Sequence, residues 1–171
     1  MSHAEHKNTL ETFAQNHKYV RIELTSGASA RGKIVHAGDF GAILAIVEDF
    51  HFDGFGMISL ESIEAVHNDE DEIFTAEILS KESISEPSLP SLDFSSLETL
   101  LDGLAGSFVM LEDGEYDLHF ARLDGITDGE VTLTPFSSTG QFEPSFSQAI
   151  ADIYTIRFEN EYLKMYQKYA K

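Results

Sequence analysis

The 171-residue chain has no cysteine, so it can form neither a disulfide framework nor a thiolate metal site. A bound zinc would need His and carboxylate ligands alone. Basic residues are scarce: 11 Lys and Arg face 30 Asp and Glu, a formal charge of -19. A surface of that sign repels phosphate backbones and anionic headgroups, which disfavours generic nucleic-acid binding. No apolar run approaches the roughly 20 residues that span a bilayer, and Met1 to Asn16 is polar and charged. The expectation is a soluble, cytoplasmic protein without membrane contact. Catalytic signatures are missing too: there is no G-x-x-x-x-G-K-[ST], H-E-x-x-H, G-x-S-x-G or G-x-G-x-x-G, so neither an enzyme nor a cofactor is expected.

What is present is a patterned chain with 42% hydrophobic residues, enough for a real core. Thr9 to Phe13 looks like a helix start, with Asn8 or Thr9 as its cap and Leu10 and Phe13 three apart. From Tyr19 the period changes to two, with Val20, Ile22 and Leu24 on one face and Arg21 and Glu23 on the other, up to the Ser26-Gly27 turn. Ala30 to Ala37, Ala42 to Val47, Met57 to Leu60 and Ile63 to His67 follow as strands, with a loop expected at Phe52-Asp53-Gly54-Phe55. Five short strands with Gly-marked turns suggest a small barrel. Asp69 to Glu72 then open a helix that runs to Lys81, with acids at its N-terminus.

Ser83 to Ser96 holds Pro87, Pro90 and several serines, the composition of a connector. Past it the opening pattern returns at an offset of 87 residues: Leu10, Glu11, Thr12, Leu24 and Gly27 align with Leu97, Glu98, Thr99, Leu111 and Gly114. Further on the offset becomes 90, pairing Leu60, Ile63 and Val66 with Ile150, Ile153 and Ile156. The reading is a duplication: a first helix-plus-barrel unit over 1-82, a Ser/Pro acidic linker over 83-95, and a second unit over 96-171 that ends in a helix from Glu159. The fold class is therefore mainly β with short helices, as two tandem five-stranded small barrels of SH3-like build, each preceded and followed by a helix.

Leu24, Gly27, Gly32, Ile34, Asp39 and the run Ile43 to Ile46 stand in an order that resembles the Sm-like fold of Sm proteins and Hfq-type RNA chaperones. The resemblance implies a small barrel and, in that family, RNA contacts. It implies them through an Asn after the acidic turn and an Arg-Gly pair in the later strands. Gly41 to Leu44 offers no Asn and Met57 to Leu60 offers no Arg-Gly, so fold can transfer without the RNA function. The two-unit layout, with its Phe-Asp-Gly-Phe loop and tyrosine-rich terminal helix, also looks like an uncharacterised bacterial family, which implies no activity.

The weak metal candidates are His51 and Asp53, joined by His67 from a neighbouring strand; the other reading of His51-x-Asp53 is a turn. Phe50, Phe52 and Phe55 either present aromatics to a partner or plug a barrel. Asp69, Glu70, Asp71 and Glu72 form a solvated acidic face that a basic partner would fit. On the terminal helix Tyr162, Met165, Tyr166 and Tyr169 read as one stripe packed on a barrel, with Lys164, Lys168 and Lys171 suited to the helix C-terminus. Three functions are compatible with these features. The first is a non-enzymatic protein-interaction or assembly module, with a protein partner or self-association into a homo-oligomer. The second is an acidic inhibitor, immunity-like protein or nucleic-acid mimic that covers a basic partner. The third is Sm-like RNA binding through Arg21, Arg31 and Lys33.

Overall fold

Ser2 and Glu5 start the first helix earlier than Asn8 or Thr9 would. The Ser2 side chain accepts the Glu5 amide while the Glu5 carboxylate accepts the Ser2 amide, a capping box that satisfies donors a helix N-terminus leaves open. Helix α1 (His3–Gln15) then turns His6 and Leu10 inward. The structure is a computed structural model and describes residues 2–171. Strands take 42% of the chain and helices 28%, so the fold is mainly β with four helices. It divides into two compact units, the first ending at Ser88 and the second beginning at Leu89.

In the first unit α1 is followed by β1 (Tyr19–Leu24), β2 (Ser29–Gly38), β3 (Gly41–Glu48) and β4 (His51–Ser59). A 3-10 turn at Leu60–Ser62 leads to β5 (Ile63–His67), and α2 (Glu70–Lys81) completes the unit. The strands pair antiparallel in the order β5-β1-β2-β3-β4. Val20, Ile22 and Leu24 point to one side, as period two requires, and join Leu10, Ile34, Leu44, Ile46, Ile58 and Ile63 in one core. Gly32 is needed where β2 crosses β3: a Cβ there would stand 2.2 Å from the Ala45 carbonyl oxygen.

The segment Phe52-Asp53-Gly54-Phe55 is not a loop. Val47 pairs with Phe52 and Ala45 with Phe55, so β4 carries one extra residue, a bulge that Gly54 accommodates at φ +70°. The reversal lies just before it, at Asp49 and Phe50. Both have positive φ (46° and 62°), the geometry of a two-residue hairpin turn that ordinarily takes Asn-Gly.

The second unit contains α3 (Leu97–Gly103), β6 (Phe108–Asp113), β7 (Leu118–Thr127), β8 (Glu130–Pro135) and β9 (Phe146–Ala149). After a 3-10 turn at Ile150–Asp152 come β10 (Ile153–Phe158) and α4 (Glu161–Tyr169). Strand β9 takes the place of the fourth of the five strands expected in this unit. The pairing order is β10-β6-β7-β8-β9, the same as in the first unit. In neither unit does this order close on itself, whereas closed small barrels were expected. The bulges fall at matching places, between Ile34 and His36 in β2 and between Leu123 and Gly125 in β7.

The structural equivalence departs from the ungapped sequence match. Val20 pairs with Gly32 as Val109 pairs with Ala121, which sets the strands two residues away from the offset read at the helices. Gly27 is therefore matched in place by Tyr116, not by Gly114. Both have positive φ, and both donate their amide back to the last residue of the strand, Gly27 to Leu24 (2.8 Å) and Tyr116 to Asp113 (2.9 Å). No helix among the described residues is long and apolar enough to cross a membrane.

His6 is buried on α1, and its ring nitrogens make no well-formed hydrogen bond, only a weak contact with the Glu64 backbone that burial outweighs. Burial, with the neighbouring His3 charge acting in the same direction, holds its pKa below the usual 6.5. The unfolded chain then binds the proton first, so stability is complete above about 6.5 and is lost as pH falls from there toward the folded value. His6→Leu is expected to raise stability by about 1 kcal/mol at pH 7. It should also remove this part of the pH dependence, measured by urea unfolding from pH 7 to 5.

Candidate partner-binding surfaces

The outward face of β1 and its neighbours concentrates charge of one sign. Arg21 stands directly opposite Arg31 on β2 and His67 on β5, and Lys33 opposite Tyr19. Cations facing each other across strands repel unless carboxylates intervene. Helix α2 supplies them. Asp69 caps its N-terminus, and Glu72 completes the box by accepting the Asp69 amide at 3.3 Å. The same Glu72 carboxylate is fully buried, with Oε1 3.2 Å from Arg31 Nη2 and 3.6 Å from Arg21 Nε. Arg21 also meets Glu23 and lies 3.8 Å from Asp69; Glu23 is 3.2 Å from His67; Lys33 is 2.5 Å from Glu86.

The electrostatics follow from these contacts. The Arg21 guanidinium holds the Glu23 carboxyl below its ordinary range. Burial pushes Glu72 up, and the Asp69 carboxyl beside it adds to that; Asp69 is in turn held down by its hydrogen bond to Glu72. Of the four acids expected on one solvated face, Glu72 is thus internal and Asp69 is a cap. Glu70 and Asp71 remain outward. Beside them α2 exposes Ile73 and Phe74, and Ile73 borders an open groove of about 470 Å³ with Tyr19, Ala76, Lys18 and Lys81 on its walls.

The three phenylalanines separate. Phe55 is buried, Phe52 is half-buried, and Phe50 sits 45% exposed at the strained hairpin tip. His51 Nδ1 lies 2.8 Å from the Asp49 carbonyl oxygen, and Asp53 belongs to the β4 bulge. His67 is on β5, at the other end of the strand order from β4, and is engaged with Glu23. The three metal candidates are not brought together, and among the described residues no three His, Asp or Glu side chains are arranged to hold a metal ion.

Helix α4 differs from the stripe expected of it. Asn160 caps it, accepting the Leu163 amide at 2.8 Å, and Leu163 packs with Phe108 and Phe136. Tyr166 faces the same cluster, its ring centroid 4.8 Å from that of Phe136 and its hydroxyl donating to the Ser138 carbonyl at 2.8 Å. This orientation leaves Tyr162, Met165 and Tyr169 at 47%, 55% and 60% exposure, the Tyr162 ring still lying 5.4 Å from that of Phe120 and 4.8 Å from that of Tyr166. Sequence periodicity grouped them with Tyr166; the missed signal was Leu163, the one aliphatic anchor on the opposite side. Exposed aromatic and Met side chains at i, i+3 and i+7, with Lys164 and Lys168 among them, are suited to docking on another surface.

Two substitutions separate structural from binding roles. Glu72→Ala removes the cap partner and leaves Arg21 and Arg31 facing an empty site, with an expected loss of about 2–3 kcal/mol in urea unfolding at pH 7. Glu72→Gln keeps the capping geometry and should stay within about 1 kcal/mol of the parent. Because the folded pKa of Glu72 is raised, the parent loses stability as pH rises through the window above 4.5, and Gln removes that slope. Phe50→Gly should raise stability by about 0.5–1 kcal/mol by relieving the positive φ. In comparisons with known proteins, the chain matches no protein-family model, no curated protein and no solved structure.

Proposed function

We propose that the chain is a non-enzymatic protein-interaction or assembly module built from two copies of an Sm-like small-barrel unit and working in the cytoplasm. The observation that carries the reading is the half-exposed Tyr162-Met165-Tyr169 stripe on α4. Leaving Met165, Tyr169 and one side of Tyr162 in water on a helix otherwise anchored by Leu163 and Tyr166 forgoes burial, and a partner surface recovers it. The shared strand order and matching bulges of the two units support duplication, and the meander with a fifth strand returning to the first supports the Sm-like assignment.

An acidic-inhibitor reading is favoured by a separate observation, the outward Glu70 and Asp71 on a chain of charge -19. RNA binding has the least support. Arg21, Arg31 and Lys33 are each ion-paired to carboxylates of the same unit, so phosphate would have to displace them.

The test uses the full chain as bait in its native cell, comparing the parent with the triple variant Tyr162→Ser, Met165→Ser, Tyr169→Ser. The variant should keep the parent circular dichroism spectrum and lose recovered partner, including co-purifying copies of the chain, by at least about tenfold. Identical recovery from both baits would reject the α4 reading. A basic protein retained by the variant and lost at high salt would support the inhibitor instead, and co-purifying RNA would revive the third reading.

A further inference from the structure

Helix α1 ends in a Schellman turn: the Lys18 amide donates to the Phe13 carbonyl (2.9 Å) and the His17 amide to the Ala14 carbonyl (3.0 Å). This turn needs a left-handed residue directly after the Asn16 cap, a place that Gly or Asn ordinarily takes, and His17 holds it at φ 51°. The His17 and Lys18 side chains are exposed, and among the described residues neither has an ion-pair or hydrogen-bond partner. With 30 carboxylates against 11 Lys and Arg, a lysine without a partner is a feature of its surroundings and not of composition.

Both side chains border the open groove of about 470 Å³ in the first unit. Its other wall is a face of α2, where Ile73, Ala76, Glu77 and Ser80 stand at i, i+3, i+4 and i+7 and run about 10 Å along the helix. Tyr19, Ile73 and Ala76 make part of the lining apolar. The carboxylates on the walls are already engaged, Glu77 with Lys81 at 3.4 Å and Glu72 with Arg31 at 3.2 Å. Each cancels against its own partner. The Lys18 ammonium is left as the uncompensated charge, with the imidazole of His17 beside it.

We propose that this groove binds a linear carboxylate, a medium-chain fatty acid anion, with its head group at Lys18 and His17 and its alkyl chain along Tyr19, Ile73 and Ala76. One lysine suits a monoanion, which gains a charge-assisted hydrogen bond there. The elongated wall suits an extended chain, which takes the half-exposed Ile73 out of water. The left-handed strain at His17 is retained because Gly would relax the turn and supply no side chain to the head group. The site adds a ligand to the first unit and does not depend on the α4 reading.

Nuclear magnetic resonance of the isotope-labelled full-length chain, titrated with sodium decanoate at about pH 7, reads the site residue by residue. Saturable shifts are expected at the amides of Asn16, Lys18, Ile73, Ala76 and Ser80, with a dissociation constant on the order of 1 mM for a ligand this small in an open groove. Decanol has the chain without the charge and acetate the head without the chain; each should bind at least about tenfold more weakly. Lys18→Glu should weaken decanoate binding at least about tenfold, whereas Lys168→Glu makes the same charge change in the second unit and should bind as the parent does. His17→Gly should raise the urea midpoint and yet bind about threefold more weakly, a combination that a purely structural turn residue would not give.

Shifts that fail to saturate or fall outside the groove would overturn the inference. Decanol binding as well as decanoate, or Lys18→Glu binding like the parent, would overturn it equally.

Discussion

The buried carboxylate of Glu72 decides which charges the first unit offers to the outside. It occupies the place where β1 and β2 bring Arg21 and Arg31 face to face, and it also closes the capping box of α2. One side chain thereby offsets cross-strand repulsion, satisfies helix-end donors and fixes the rotation of α2. Burial makes this expensive for a carboxylate, as the upward push on its pKa shows, and two guanidiniums with the Asp69 amide offset that cost. Everything outward on α2 follows from that rotation: with Glu72 and Leu79 inside, Ile73 and Phe74 are outside.

In the second unit apolar packing does the equivalent work. Leu163 among Phe108 and Phe136, with Tyr166 stacked on Phe136, sets the angle of α4. The Tyr166 hydroxyl finds the Ser138 carbonyl and the Lys171 amide the Gly140 carbonyl, which ties the helix and the following residues to the 137–142 turn. The two units therefore reach a similar outcome, a terminal helix with an exposed apolar stripe, through an ionic anchor in one and an aromatic anchor in the other.

A chain so acidic presents its few cations either as paired structural groups or as conspicuous surface features. Arg21, Arg31 and Lys33 belong to the first kind and explain why a basic row on two adjacent strands does not amount to a phosphate site. Lys164 and Lys168 belong to the second: Lys164 stands 3.8 Å from Glu159 and Lys168 lies over the Tyr169 ring, both at a water-facing edge where such contacts are weak. Strained positions add a further contrast. Phe50 and Tyr116 hold exposed aromatic rings at positive φ on hairpin tips, where smaller residues would relax the backbone.

Much of the secondary structure was legible in the sequence, because period-two alternation at Val20, Ile22 and Leu24 and the acidic run before Ile73 report local preferences that the fold keeps. The absence of thiols, the excess of carboxylates and the breaks around Pro87 and Pro90 were equally plain. Other features needed three dimensions. The Phe52 to Phe55 bulge is invisible without the partner strand, since a loop and a bulge share Asp-Gly chemistry, and the two-residue slip that sets Tyr116 in the place of Gly27 is visible only in the register of pairing. The same holds for the candidate surfaces: a helical stripe of Tyr162, Met165, Tyr166 and Tyr169 spans an arc too wide to say which edge faces inward. Only the packing of Leu163, and of Glu72 against two arginines from neighbouring strands, decided the direction, because both depend on residues distant in sequence.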